Sequence, residues 1–140
     1  VERVENATLR QQYVAKKAQL DQQYPGHRNE RMLWHGTSFD ATKYINRTNF
    51  GEGVYFAVNC SYAMQKTFSP PKRDGRRYMY WCKVLVGYST TGSHDMKVLP
   101  ARYDHILYDS ATDKTICPTM YIIFNDTQAY PEYLITFKDS

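Results

Sequence analysis

Four stretches of strand-like sequence occupy much of the chain after residue 50, and that succession narrows the folds open to it. Gly53–Val58 alternates and is rich in aromatic and β-branched residues. Tyr78–Gly87 is the longest such stretch, and Met120–Phe124 and Tyr133–Phe137 supply two more. Side chains of these types cover a pleated surface well. A doubly wound parallel sheet needs a regular helix between each pair of strands, and no such alternation runs through this region. The expected class is therefore α+β, built on antiparallel pairing. With 140 residues a single hydrophobic core suffices, so residues 1–140 are read as one domain.

Helical sequence is concentrated at the start. Val4–Leu20 is rich in Ala, Gln, Lys and Leu without Gly or Pro, and Val4, Ala7, Val14 and Ala18 fall near one helical face. Pro25-Gly26 stops it. Arg31–His35 then reads as a short strand running into the turn-capable Gly36-Thr37-Ser38, which puts His35 at a strand end. Asp40–Asn46 reads as a short helix capped by its aspartate, with Thr48-Asn49-Phe50-Gly51 as a tight exit, and Asn59–Lys66 as a second capped helix.

Bulk properties exclude several roles. Apolar residues at 42% and charged residues at 23% are ordinary for a soluble domain, and the longest apolar runs are far too short to span a bilayer. No secretory signal or lipidation box is visible, so no membrane partner is expected. Cys60, Cys82 and Cys117 are odd in number and widely spaced, which fits neither a disulfide framework nor a zinc site and favours a nuclear or cytosolic setting. The net charge is +4, yet Lys72, Arg73, Arg76 and Arg77 gather beside Pro70, Pro71 and Gly75. Without interleaved aromatics this cluster reads as a solvated loop in preference to a nucleic-acid patch.

Particular residues go further than composition. The string Arg31-Met32-Leu33-Trp34-His35-Gly36-Thr37 is followed by Gly51-Glu52-Gly53-Val54-Tyr55-Phe56-Ala57, a Ser-Tyr helix, and finally Tyr130-Pro131-Glu132-Tyr133-Leu134-Ile135-Thr136-Phe137. In this order and spacing the motifs resemble the catalytic domain of the poly(ADP-ribose) polymerase superfamily, most of all its macrodomain-associated mono-ADP-ribosyltransferases, over almost the whole chain. The resemblance implies an ADP-ribosyltransferase fold of two antiparallel sheets around an NAD cleft with flanking helices. NAD is then a substrate, no metal is required, and the acceptor is a protein side chain, the enzyme's own included. Further strands before the segment where this chain begins are also usual in the family.

The chemistry suits these residues. Nicotinamide is a flat cation whose bond to ribose breaks through an oxocarbenium-like state, so aromatic walls and orienting hydrogen bonds matter more than a strong base. By resemblance, His35 bonds the nicotinamide ribose, Gly36 offers its backbone N–H and C=O to the carboxamide, and Thr37 lines the adenosine side. Tyr55 packs beneath the nicotinamide ring. Phe68 takes the place of a tyrosine stacking on the opposite face, and Tyr62 and Ala63 complete the NAD-binding set.

Three positions depart from the commoner family pattern. Ala63 stands where a serine usually bonds the carboxamide, a loss of about 1 kcal/mol of hydrogen bonding. Phe50 runs straight into Gly51 where relatives insert a lid over the NAD pocket, which implies a shortened lid. Met120 occupies the place of the glutamate that activates the acceptor in chain-elongating members. Glu132 lies in a closing motif that non-elongating members also carry, so it reads as structural. The catalytic set His35, Tyr55 and Met120 therefore implies one ADP-ribose per acceptor and no polymer. Ala63 and the shortened lid leave an alternative, a binding module that has lost turnover. Nucleic-acid end modification, hinted at by the basic cluster, is a weaker third reading.

Overall fold

The computed structural model describes residues 1–37, 53–66, 68–93 and 96–139. The helix expected at Asp40–Asn46, the exit at Thr48–Gly51 and the Phe50–Gly51 junction lie outside them. The chain opens with a two-residue strand, β1 (Glu2–Arg3), and one long helix, α1 (Ala7–Gln23). This helix begins and ends three residues later than the expected Val4–Leu20, because Asn6 is the better cap: its side chain accepts the Leu9 N–H at 3.0 Å. At the other end the Tyr24 N–H bonds the Leu20 carbonyl, and Gly26, at φ +78°, turns the chain away.

The buried stripe of α1 also differs from expectation. Tyr13, Leu20 and Tyr24, with half-buried Leu9, pack against Leu85 and Tyr130, whereas Ala7 and Ala18 are exposed and Val14 is 56% exposed. The large side chains, spaced four and seven apart, remove far more apolar area from water than small ones on the neighbouring face. Tyr13 further donates its hydroxyl to Glu30 at 2.5 Å, tying helix to sheet.

The remaining strands are β2 (Glu30–Thr37), β3 (Val54–Ala57), β4 (Arg77–Leu85), β5 (Ser89–Thr91), β6 (Ala101–Tyr103), β7 (Ile106–Leu107), β8 (Ser110–Thr112), β9 (Met120–Ile123) and β10 (Ala129–Phe137), with a single-turn helix α2 (Cys60–Ala63) after β3. Eight of the strands form one ladder in the order β1-β10-β4-β2-β3-β9-β8-β5, and β6 pairs with β7 alone. Antiparallel pairing dominates, as the strand succession requires, but β5 and β8 run parallel, so the large sheet is mixed. The expected two separate sheets are thus two halves of one ladder. Among the described residues they are joined between β2 and β3 by one pair, Trp34↔Ala57, whereas β2 pairs with β4 over the eight positions from Glu30↔Leu85 to Thr37↔Tyr78. One buried cluster draws Leu33, Tyr80, Cys82 and Val84 from one half and Phe56, Tyr121 and Ile123 from the other, so the halves share a core.

Expected boundaries shift where tertiary pairing outweighs local sequence. β2 continues through Gly36 and Thr37 because both pair with β4, opposite Met79 and Tyr78. The helix expected over Asn59–Lys66 shrinks to one turn, with no side-chain cap from Asn59. β10 begins four residues before Tyr133, its register shifting between Pro131 and Tyr133, where proline has no N–H to give the ladder. Glu132 is buried at this bulge, with Arg3 at 3.5 Å and Lys83 at 3.7 Å from its carboxylate, a place in the sheet consistent with a structural role. Cys60, Cys82 and Cys117 are free. Among the described residues no helix is long and apolar enough to cross a membrane.

Candidate active site

The two halves of the ladder part beyond Trp34↔Ala57, and the motif residues sit on either side of that parting. His35 lies two residues before the end of β2 and is only 4% exposed. Its Nδ1 lies 2.8 Å from the Tyr55 carbonyl oxygen. A carbonyl can only accept, so Nδ1 carries the proton and Nε2 of the neutral ring is the accepting nitrogen. Burial lowers the pKa of this imidazole to about 4, against a smaller upward pull from the hydrogen bond to Tyr55. At neutral pH His35 is therefore an uncharged group of fixed tautomer. It meets Tyr55 edge-on, with ring centroids 6.3 Å apart and planes at 75°.

Tyr55 sits on β3 opposite Ile122 of β9, in a cluster with Met120, Ala111 and Leu99 to which Tyr62 and Phe68 are packed. Its hydroxyl is buried and makes no hydrogen bond among the described residues. Burial first, and then the neighbouring Tyr62 phenol, raises its pKa, so it stays protonated. Phe68 stands edge-on to Tyr55 at 5.1 Å and 78°, and stacks instead on Tyr62 at 5.2 Å and 23°. The opposed, parallel pair of walls expected of Tyr55 and Phe68 is thus closed up in this geometry. A flat ring held between parallel faces needs roughly 7 Å, twice a carbon contact distance. Tyr62 offers Phe68 a better-stacked partner than an edge of Tyr55.

Gly36 proves indispensable for a reason of packing. A Cβ built there would lie 2.5 Å from the Ala63 carbonyl oxygen, 2.7 Å from Ser69 Oγ and 2.9 Å from the Phe68 carbonyl carbon. The strand and the segment after α2 approach as closely as backbones can. Ala63 is buried there with Ala57 and Met79. Thr37 is fully buried at the end of β2.

Met120 opens β9, is 4% exposed, and pairs with Ala57. The structure thus brings His35, Gly36, Tyr55, Tyr62, Ala63, Phe68 and Met120 into contiguous layers. Three supporting residues carried no recognisable sequence signal. Asp113 accepts the Thr119 amide at 2.9 Å, the Met120 amide at 3.3 Å and the Thr119 hydroxyl, fixing where β9 begins. Burial tends to raise its pKa, but the bonds from Thr119 and Met120 prevail and hold it below the usual carboxylate range. Ser69, fully buried, donates to the Ala63 carbonyl at 2.6 Å. Arg77 leaves the basic cluster altogether for the interior, and Arg76 pairs with Asp74 at 2.6 Å, so both are engaged within the chain.

A mainly antiparallel α+β ladder parting over a neutral histidine and a group of stacked aromatics defines an ADP-ribosyltransferase-type catalytic domain. The model of the poly(ADP-ribose) polymerase catalytic domain matches residues 1–105, and the chain belongs to that family. It is 38% identical to the human protein mono-ADP-ribosyltransferase PARP14 over 153 positions that cover 99% of this chain and 8% of that protein. It is 37% identical to PARP10 of Mus musculus, over 99% of this chain and 16% of the relative. With PARP12 of Mus musculus it shares 32% identity, over 100% of this chain and 21% of the relative. The last two are likewise named protein mono-ADP-ribosyltransferases. The chain therefore spans under a quarter of the length of each of these relatives. The alignment with the human protein is longer than the 140 residues of this chain, so that relative carries residues without a counterpart here.

Proposed function

We propose that this domain transfers a single ADP-ribose from NAD to a protein side chain, its own included, and releases nicotinamide. The observation that carries the reading is the His35–Tyr55 bond, which fixes an uncharged imidazole at the parting of the ladder beside a tyrosine ring. A hydroxyl of the nicotinamide ribose donates to Nε2 of His35, and Tyr55 underlies the nicotinamide ring. Admitting that ring requires Phe68 to turn away from Tyr55. Gly36 supplies backbone groups for the carboxamide, and Ala63 leaves that group one side-chain partner short.

The reaction breaks the bond between ribose C1′ and the nicotinamide nitrogen and forms one from C1′ to the acceptor. Nicotinamide departs neutral, taking the bonding electrons. His35, Tyr55 and Met120 include no group suited to deprotonate an acceptor: the first is a weak base whose accepting nitrogen is taken by the nicotinamide ribose, the second is a protonated phenol and the third a thioether. An acceptor that brings its own carboxylate needs no deprotonation, and a growing ribose chain has no such group. Single addition follows. A shortened lid, expected from the direct Phe50–Gly51 junction in the sequence, leaves the site more open to water and raises NAD hydrolysis relative to transfer.

Incubation of the purified protein with labelled NAD, followed by separation by size, tests this reading. The expected result is discrete single-addition label that disappears in His35→Ala. Long polymers would overturn the role given to Met120, and equal labelling of both proteins would overturn that of His35.

A further inference from the structure

Arg77 reads in the sequence as one of four cations in a surface loop, yet it is 4% exposed. Its guanidinium spreads three bonds. Nε donates to the Ser69 carbonyl at 2.8 Å, Nη2 donates to the Met64 carbonyl, and Nη1 meets Asp139 Oδ1 at 2.5 Å. The Phe137 ring lies beneath it, 4.9 Å from the guanidinium carbon. Asp139 also reaches Lys66 at 3.9 Å.

The two carbonyls sit at either end of the turn that carries Phe68. Within that turn the Phe68 and Ser69 amides both bond the Gln65 carbonyl at 2.9 Å, and Ser69 closes back on Ala63. The same segment presses against Gly36, so a shift of the turn would move the surface facing Gly36 and the base of the Phe68 ring together. Aliphatic side chains cannot bind two diverging carbonyls, and a lysine ammonium lacks the planar fork that reaches both and a carboxylate at once.

We propose that Arg77 is a positioning residue for the nicotinamide end of the site: it clamps the backbone at Met64 and at Ser69, on either side of Phe68, while leaving the Phe68 ring to swing. This assignment rests on the reading of Tyr55, Phe68 and Gly36 as nicotinamide-binding. A fixed backbone under a mobile ring reconciles the closed Tyr55–Phe68 pair with a site that must open for a flat ligand.

The test compares the wild type with Arg77→Met, Arg77→Lys and Asp139→Ala. Amide hydrogen exchange of the segment from Met64 to Ser69 should rise at least ~10-fold in Arg77→Met with β2 and β4 still protected, and by less in Asp139→Ala, which removes only one arm of the clamp. KM for NAD, and Kd for benzamide as a nicotinamide-ring mimic, should rise ~10-fold in Arg77→Met with kcat within about threefold, and Arg77→Lys should recover part of the loss. An unfolded Arg77→Met would pass the decision to Asp139→Ala, whose mutated side chain is 57% exposed. Unchanged exchange in the folded variants overturns the clamp, and raised exchange with unchanged KM and Kd overturns its link to ligand. If the wild type neither binds benzamide nor transfers label, the transferase reading fails along with that link, and exchange still decides whether Arg77 holds the turn.

Discussion

His35 is a residue whose chemistry is set by where it is buried, and its pH dependence follows from that. Its pKa in the folded chain is about 4, against 6.5 for an ordinary histidine. Above pH 6.5 it is neutral whether folded or unfolded and adds no pH dependence. As pH falls from 6.5 toward 4 the unfolded chain takes up the proton and the folded chain does not, so stability is lost at up to about 1.4 kcal/mol per pH unit. Melting of the wild type and His35→Gln between pH 7.5 and 4.5 should show the wild type losing more stability; parallel curves would contradict the buried neutral imidazole. Gly36 makes a second prediction at this scale. Two of the three atoms that a new methyl would strike are backbone, so Gly36→Ala should destabilise by about 1–3 kcal/mol and abolish benzamide binding, read by melting and titration calorimetry. For Tyr55 the hydroxyl is buried with no well-formed bond among the described residues and only the Tyr62 phenol beside it, so Tyr55→Phe, which keeps the ring, should shift stability by no more than about 1 kcal/mol in chemical denaturation.

Elements were legible where local sequence and tertiary pairing agreed. The strand at Tyr78–Gly87 and that at Met120–Phe124 were placed within two residues because their aromatic and β-branched runs also sit in the middle of the ladder. The sequence shows α1 but not its buried face, because the Ala and Val spacing marks one side of the helix while the tyrosines that meet the sheet lie on another. The short strands β5 to β8 were missed: two or three residues leave no period to detect. Of the site, the residues inside motifs were recognisable and their supports were not. Asp113, Ser69 and Arg77 act through single side chains at turns, with spacing dictated only by the folded chain. Asp113 shows what such a support does for an element. It accepts two amides and a hydroxyl just where β9 starts, so Asp113→Ala should cost roughly 2–3 kcal/mol in denaturant unfolding by leaving those donors unpaired. It should also lower labelling by NAD as Met120 loses its fixed place beside Ala57. A variant as stable and as active as the wild type would reduce Asp113 to a loop residue.

At the scale of the molecule, the site exists because one ladder is nearly two. Among the described residues β2 and β3 meet at a single pair, and a wider seam of pairing there would leave no parting for a ligand. Such a joint invites independent unfolding of the halves, with the half containing β3, β9 and β8 opening first. Three connections among the described residues oppose this: the His35–Tyr55 bond, the Arg31–Tyr121 bond at 2.6 Å, and the buried cluster in which Phe56, Tyr121 and Ile123 of one half interlock with Leu33, Tyr80, Cys82 and Val84 of the other. Packing of that kind is lost together, so the domain should unfold in one transition. Both tryptophans, Trp34 and Trp81, lie in β2 and β4 with ring centroids 4.1 Å apart, and so report on that half and, through the pairing of Trp34 with Ala57, on its edge at the seam. Their fluorescence and the far-ultraviolet dichroism of the whole sheet should nevertheless share one denaturant midpoint. Phe56→Ala, in the other half, should move both signals equally, by about 3–5 kcal/mol for a fully buried phenylalanine. A tryptophan signal that stayed put while the dichroism shifted would mean that the halves fold separately, and that the parting between them is a hinge instead of a seam within one rigid core.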